Sequence, residues 1–262
     1  SRNGDRFDER CSSADASGAQ QQRQLRVATI NLWNVNAPWP LRRDAIADAI
    51  VRLRLDFIGL QEIRFTEVRV QTGLSDPCCA EDATDYMLCT GCVQEGNQLD
   101  QLVAALAKRD SKFESVYAKT SEHAPENGRE EGIGILVRSA RGAVVDTSSV
   151  AVSAANAPGT RLCLHVLVEM APAVGDESAR KTGNGAQPTA PRRRVSFFST
   201  HLDYVDSEQC AQAARLHAFV SRATEQDRAD AAVVVGDFNT YMDFEWCVAR
   251  DGCHRRRGAC DV

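Results

Sequence analysis

AAVVVGDFN, Ala231–Asn239, is the stretch that decides the architecture. A run of alanines and valines closed by glycine reads as a short buried β-strand, because β-branched side chains fit a pleated surface that is covered on both faces. The turn that follows carries Asp237 and Asn239, so an apolar strand ends in groups able to bind metal or phosphate. The same grammar recurs outward along the chain. β-rich runs lie at 25 to 31, 56 to 60, 132 to 137, 161 to 168 and 195 to 200. Among them Leu162, Leu164, Val166 and Val168 alternate strictly, as a strand with one face on a core requires.

Helical spacing falls between these strands. Leu41, Ala45, Ile46, Ala49, Ile50 and Leu53 form one stripe over 41 to 54, and Leu99, Leu102, Val103 and Leu106 form another over 98 to 109. A third helix is expected over about 207 to 223, with Asp206 and Gln209 at capping-box spacing. Strands alternating with helices indicate the α/β class. Residues 1 to 24 have almost no apolar side chains and are expected to be a disordered arm, and a Pro- and Gly-interrupted loop is expected at 171 to 193. One catalytic domain over 25 to 243 and an irregular tail over 244 to 262 complete the division.

The polar residues fall where the strands end. Asn31 closes the first strand, Gln61 and Glu62 the second, His201 the one at 195 to 200, and Asp237 with Asn239 the last. In layered α/β folds, loops at strand ends gather into a crevice, so these residues can converge. Each alone has a commonplace explanation: a glutamate after a strand is usually solvated, and an aspartate there often makes a turn. As a set they suit phosphate-ester hydrolysis. That reaction needs a hard divalent cation on carboxylate oxygens, for which Glu62 leads, and a carboxylate such as Asp237 to orient water. The amides of Asn31 and Asn239 would hold these groups in line, and a protonated His201 would donate to developing negative charge.

In this order, INLWN (30 to 34), GLQEIR (59 to 64), EGIGILVRS (131 to 139), STHLD (199 to 203) and VVGDFN (234 to 239) resemble the endonuclease/exonuclease/phosphatase superfamily. The resemblance implies a four-layer α/β sandwich, two mixed β-sheets packed face to face with helices outside. It implies Mg²⁺ or Mn²⁺ on Glu62, with Asn31 beside the metal and Asp237 as a further ligand. By the same resemblance His201 looks like the phosphate-facing histidine, Asp237 like the water-orienting aspartate and Asn239 like the phosphate-binding amide. Arg161 stands where many members keep an arginine for the substrate phosphate. The substrate would be a phosphate ester, on a lipid headgroup, a nucleotide or nucleic acid, and the protein a monomer. NLWNVNAPWPLRRDAI followed by DFIGLQEIRF looks more like the small phosphatase, sphingomyelinase-like and lipid-remodelling branches than like the abasic-site nucleases, which usually carry a tyrosine-containing motif where this chain has STHLD.

Members of that superfamily also end with a Ser-Asp-His motif, and none follows Asn239 here. The expectation is therefore a C-terminally truncated domain, with a catalytically impaired fragment kept as a binding module as the alternative. Asp251 and His254 are weak substitutes, since nothing places them on a strand end.

A formal net charge of -5 argues against a general basic field for nucleic acid, and no apolar run is long enough to span a membrane, so no stable membrane insertion is expected. The ten cysteines suit disulfides in a secreted or lumenal compartment, while the lack of an Asn-x-Ser/Thr sequon argues the other way and leaves the compartment open. Cys78, Cys79, Cys89 and Cys92 are read as disulfide staples of an insertion, with structural zinc as the alternative. Arg192 to Arg194 and Arg255 to Arg257 read as solvated loop charge. Trp33 and Trp39 flank the entrance, either stacking on a base or headgroup or packing the first loop.

Overall fold

The computed structural model of the chain describes residues 24–33, 39–66, 97–122, 129–154, 160–172, 192–204 and 206–240. The cysteine cluster, the tail with Asp251 and His254, Arg255 to Arg257, and nearly all of the arm and of the 171 to 193 loop lie outside them. Two units divide the chain. Ser1–Leu25 with Pro172–Pro191 form one, described only at residues 24, 25 and 172; Arg26–Ala171 with Arg192–Val262 form the other and carry all the structure below.

The chain runs β1 (Val27–Asn31), α1 (Trp39–Arg52), β2 (Phe57–Thr66), α2 (Gln98–Ala107), β3 (Phe113–Glu122), β4 (Arg129–Arg138), β5 (Gly142–Ala151), β6 (Leu162–Met170), β7 (Arg194–His201), α3 (Asp206–Asp227) and β8 (Ala231–Asp237). Two four-stranded sheets result, ordered β1-β2-β4-β3 and β5-β6-β7-β8. Each is mixed. β1 pairs parallel with β2 and β7 parallel with β8, while the remaining pairs are antiparallel.

Alternation along the strands assigns the layers. Ile58 and Leu60 of β2 and Leu136 of β4 join Ile50 of α1 and Leu102 and Leu106 of α2 in a core outside the first sheet. Cys163 of β6 and Phe198 of β7 meet Leu216, Phe219 and Ala223 of α3 outside the second. The intervening residues face inward, where Phe57 packs on Phe197 with ring centroids 5.3 Å apart. Each such fully buried side chain contributes roughly 1.5–3 kcal/mol. Gly59 permits the close approach of the sheets, because a Cβ there would lie 2.8 Å from Ser199 Oγ. The expected four-layer sandwich is thus the observed one.

Local signals fix the helix ends. Pro40 sits in the first turn of α1, where its missing N–H costs nothing. Asn97 caps α2, its side chain accepting from Leu99 N at 2.8 Å. The capping box expected at α3 falls on Asp206, whose side chain is outside the described set. Its partner Gln209 instead donates to the carbonyls of Asp203 and Asn239, at 2.7 and 2.8 Å.

Candidate active site

Both parallel pairs end at one place. In the first sheet Asn31 stands beside Gln61, and in the second His201 stands beside Asp237. Asn31 joins the two: its Nδ2 donates to Glu62 Oε1 at 2.8 Å and to Asp237 Oδ2 at 3.0 Å, a partner 206 residues away in sequence. The orientation of that amide is fixed from the other end, where Oδ1 accepts from Trp33 N at 2.8 Å. Two carboxylates from different sheets therefore converge on one amide nitrogen.

Glu62 reaches this point through a local fault in its strand. Leu60 pairs with Gly134 and Ile63 with Gly132, so Gln61 and Glu62 together stand opposite one residue, Ile133, in a β-bulge. The extra residue resets the alternation. Ile63 returns to the helix-side core, Gln61 turns between the sheets, and Glu62 turns to the cleft. Glu62 adopts φ 54°, a left-handed conformation that costs a non-glycine residue about 1–3 kcal/mol.

Asp237 is held by more ordinary means. Its Oδ1 accepts from Asn239 N at 3.0 Å, its carbonyl accepts from Leu202 N at 2.9 Å, and Asn239 Nδ2 donates to Leu202 O at 2.8 Å. Burial alone would push the Asp237 carboxyl up, but the hydrogen bonds from Asn31 and Asn239, with His201 and Arg161 nearby, outweigh it and hold the group below the usual aspartate range. Gly236 lets β8 lie close to β7, since a Cβ would come within 2.9 Å of Thr200 Cγ2.

His201 Nε2 lies 3.9 Å from Asp237 Oδ2, an ion-pair distance too long for a hydrogen bond. Burial pushes this imidazole below its ordinary value, Arg161 adds to the effect, and Asp237, Glu62 and Glu131 oppose it only in part. His201 is therefore neutral near pH 7, and donates through a ring N–H rather than as the cation the sequence suggested. Arg161 immediately precedes β6, with Nε 3.8 Å from Asp203 Oδ2. All six expected residues, Asn31, Glu62, Arg161, His201, Asp237 and Asn239, thus gather at one end of the sandwich.

The floor of this region holds residues that sequence reasoning did not single out. Gln61 Oε1 accepts from Thr29 Oγ1 at 3.0 Å, and Gln61 Nε2 donates to Ser199 Oγ at 3.1 Å across the sheets. Their signal was legible, since Thr29 and Ser199 are polar residues at inward positions of apolar strands. The cleft above them, about 500 Å³, is lined by Thr29, Asn31, Gln61 and Gly236 through Thr240. Trp39 is corrected to a packing residue: it is buried, and its Nε1 donates to Gln101 Oε1 at 2.6 Å.

As a place for a divalent cation, the pair of carboxylates supplies the oxygen donors that Mg²⁺ or Mn²⁺ prefers. The set is sparse, for among the described residues no three of His, Cys, Asp and Glu are grouped closely enough to hold a metal by themselves. That suits an ion completed by water and substrate oxygens.

The sequence pattern of the Endonuclease/Exonuclease/phosphatase family matches residues 28–255. The chain belongs to this family. In fold it is similar to an endonuclease/exonuclease/phosphatase from Bacteroides vulgatus, with TM-score 0.50 and 16% identity over 87% of this chain and 71% of that one. A family protein from Leptotrichia buccalis gives TM-score 0.50 and 12% identity over 83% and 67%. A mannosyl-6-phosphatase from Bacteroides thetaiotaomicron gives 0.49 and 18% over 86% and 70%. At such identities the likeness is one of fold. No curated protein matches the sequence. Among the described residues no helix is long and apolar enough to cross a membrane.

Proposed function

We propose that the protein hydrolyses a phosphate ester by in-line attack of water, with a divalent cation, Mg²⁺ or Mn²⁺, at the Glu62–Asp237 pair. The observation that carries this reading is the Asn31 amide, 2.8 and 3.0 Å from carboxylates contributed by the two sheets. Glu62 and Asp237 would hold the ion, and Asn31 sets their spacing. When bound, the ion neutralises charge on the phosphoryl oxygens.

The remaining work falls to the chain's own side chains. Asp237, held ionised, orients the attacking water and accepts its proton. His201 donates an N–H to a phosphoryl oxygen, and its neutrality avoids an ion pair that would cancel the charge on Asp237. Arg161 supplies the nearby positive charge, which attracts the anionic substrate and is balanced at rest by Asp203. Asn239 braces the loop after β8 with its backbone N–H and one side-chain N–H, so the carboxylate of Asp237 is preorganised.

Hydrolysis of bis(p-nitrophenyl) phosphate and of p-nitrophenyl phosphate, each in MgCl₂, MnCl₂ and EDTA, tests the reading. Turnover of either ester that EDTA abolishes and added metal restores is the expected result. Folded protein that turns over neither ester, or does so equally in EDTA, overturns it.

A further inference from the structure

Trp33 is the large apolar side chain that stands beside the site. It is 60% exposed, its backbone N–H is the one that fixes Asn31, and its φ is 55°. A left-handed backbone is strained for so bulky a residue, and strain of this kind persists where the surroundings impose it. The surroundings here are a stack. Arg42 lies over two indoles at once, with its guanidinium carbon 5.7 Å from the Trp33 ring centroid and 5.6 Å from that of buried Trp39. Arg42 is itself tethered, its Nη1 donating to Leu32 O at 2.5 Å. Trp39 is anchored in turn by Gln101. The outermost ring of a pinned Trp–Arg–Trp stack is thus presented to solvent one residue beyond the strand that carries Asn31.

A rigid indole of this kind gives binding area at small entropy cost, and stacking on it recognises flat rings. The cation behind the ring narrows the choice. Arg42 draws π density toward its own face, so the outer face holds the C–H groups of a sugar less well and an electron-rich purine ring better. A nucleoside phosphate carries its phosphate and its base at opposite ends of a ribose, which lets one end reach the carboxylate pair while the other covers Trp33.

We infer that Trp33 is a specificity residue that stacks the nucleobase of the substrate, so that the phosphate ester handled at Glu62 and Asp237 is that of a nucleotide. This rests on the phosphohydrolase reading above. Ligand-observed NMR with the full chain in MgCl₂ separates the two, by measuring dissociation constants for adenosine 5′-monophosphate, ribose 5-phosphate and glucose 6-phosphate. Adenosine 5′-monophosphate should bind at least about tenfold tighter than ribose 5-phosphate, with the strongest saturation transfer at the base protons. Trp33→Ala should bring that ratio close to one, and Trp33→Phe should keep most of it. Equal binding of the nucleotide and ribose 5-phosphate, or a preference that survives Trp33→Ala, overturns the stacking role while leaving the phosphate site standing. Glucose 6-phosphate binding as tightly as the nucleotide overturns the assignment of a base. Failure of all three to bind overturns the phosphate site and this inference with it.

Discussion

Two histidines on neighbouring strands face aspartates, and only one of them belongs to the cleft. His201 ends β7, 3.9 Å from Asp237; His165 lies within β6, with Nε2 3.3 Å from Asp227 Oδ2 and Nδ1 3.1 Å from Ser148 Oγ. Both imidazoles are pushed down, first of all by burial. In residue type, order and direction of shift the second set even imitates a Ser-His-Asp relay. What separates them is the company they keep. His165 is stacked on Phe198 at 4.5 Å and edged by Phe219 beneath α3, and its Nε2 is buried without a well-aligned hydrogen bond. His201 instead shares its surroundings with Arg161, Glu62, Asp237 and an open cleft. A perturbed histidine beside an aspartate is thus common to a functional site and a packing seam, and convergence of further polar groups is what distinguishes them.

The largest expected effect sets the two aspartate–histidine regions against each other. Asp237→Ala should lower kcat at least about a hundredfold while the far-UV spectrum stays native. His165→Ala should leave kcat of the folded protein within about twofold, yet lower the unfolding free energy by about 2–4 kcal/mol in urea titrations, because a stacked buried ring is removed. If His165→Ala instead abolished turnover, the division into site and seam would be wrong.

Next in size is the strained strand end. Glu62→Gly should abolish metal-dependent turnover yet leave stability unchanged or about 1 kcal/mol higher, since glycine adopts φ 54° freely. Thermal melts showing a loss of several kcal/mol would mean that the bulge is held by Glu62 rather than imposed on it.

The shape of the acid limb sharpens the comparison further. A histidine whose folded value lies below its ordinary 6.5 binds its proton more readily in the unfolded chain. Its contribution is complete above pH 6.5 and is lost as pH falls below that and through the folded value. Each of His165 and His201 can contribute a slope of up to about 1.4 kcal/mol per pH unit. Asp237 has the same sign but acts lower, below the ordinary 3.8. Melting profiles between pH 8 and 5 should therefore flatten in His165→Phe, and unchanged profiles would show that this histidine titrates normally. The smallest effect is that of Ser148→Ala, about 1 kcal/mol or less with unaltered kinetics. A kinetic defect there would revive the relay.

The sequence carried the six inner or apolar strands and three helices, because their valine and leucine runs show their period. It missed β3 and β5, both edge strands, whose FESVYAKTSE and GAVVDTSSVA alternate weakly since little of each is buried. Strand ends also revealed Asn31, Glu62, His201, Asp237 and Asn239, because a polar group closing an apolar run is visible in one dimension. Their geometry was not. The bulge that turns Glu62 inward follows from pairing with β4, and the bridge from Asn31 to Asp237 follows from two edge strands meeting, which no local pattern encodes. Trp33 and Trp39 looked alike in sequence, and only burial separates a ring that packs from one that is presented.

The central claim is that Glu62 from one sheet and Asp237 from the other act as a single centre. A kinetic double-mutant cycle, comparing kcat/KM of wild type, Glu62→Ala, Asp237→Ala and the double variant in MgCl₂, tests it directly. The account predicts strong non-additivity, the double variant being little worse than either single one. Losses that simply multiply would contradict it, and would mean that the two carboxylates act independently.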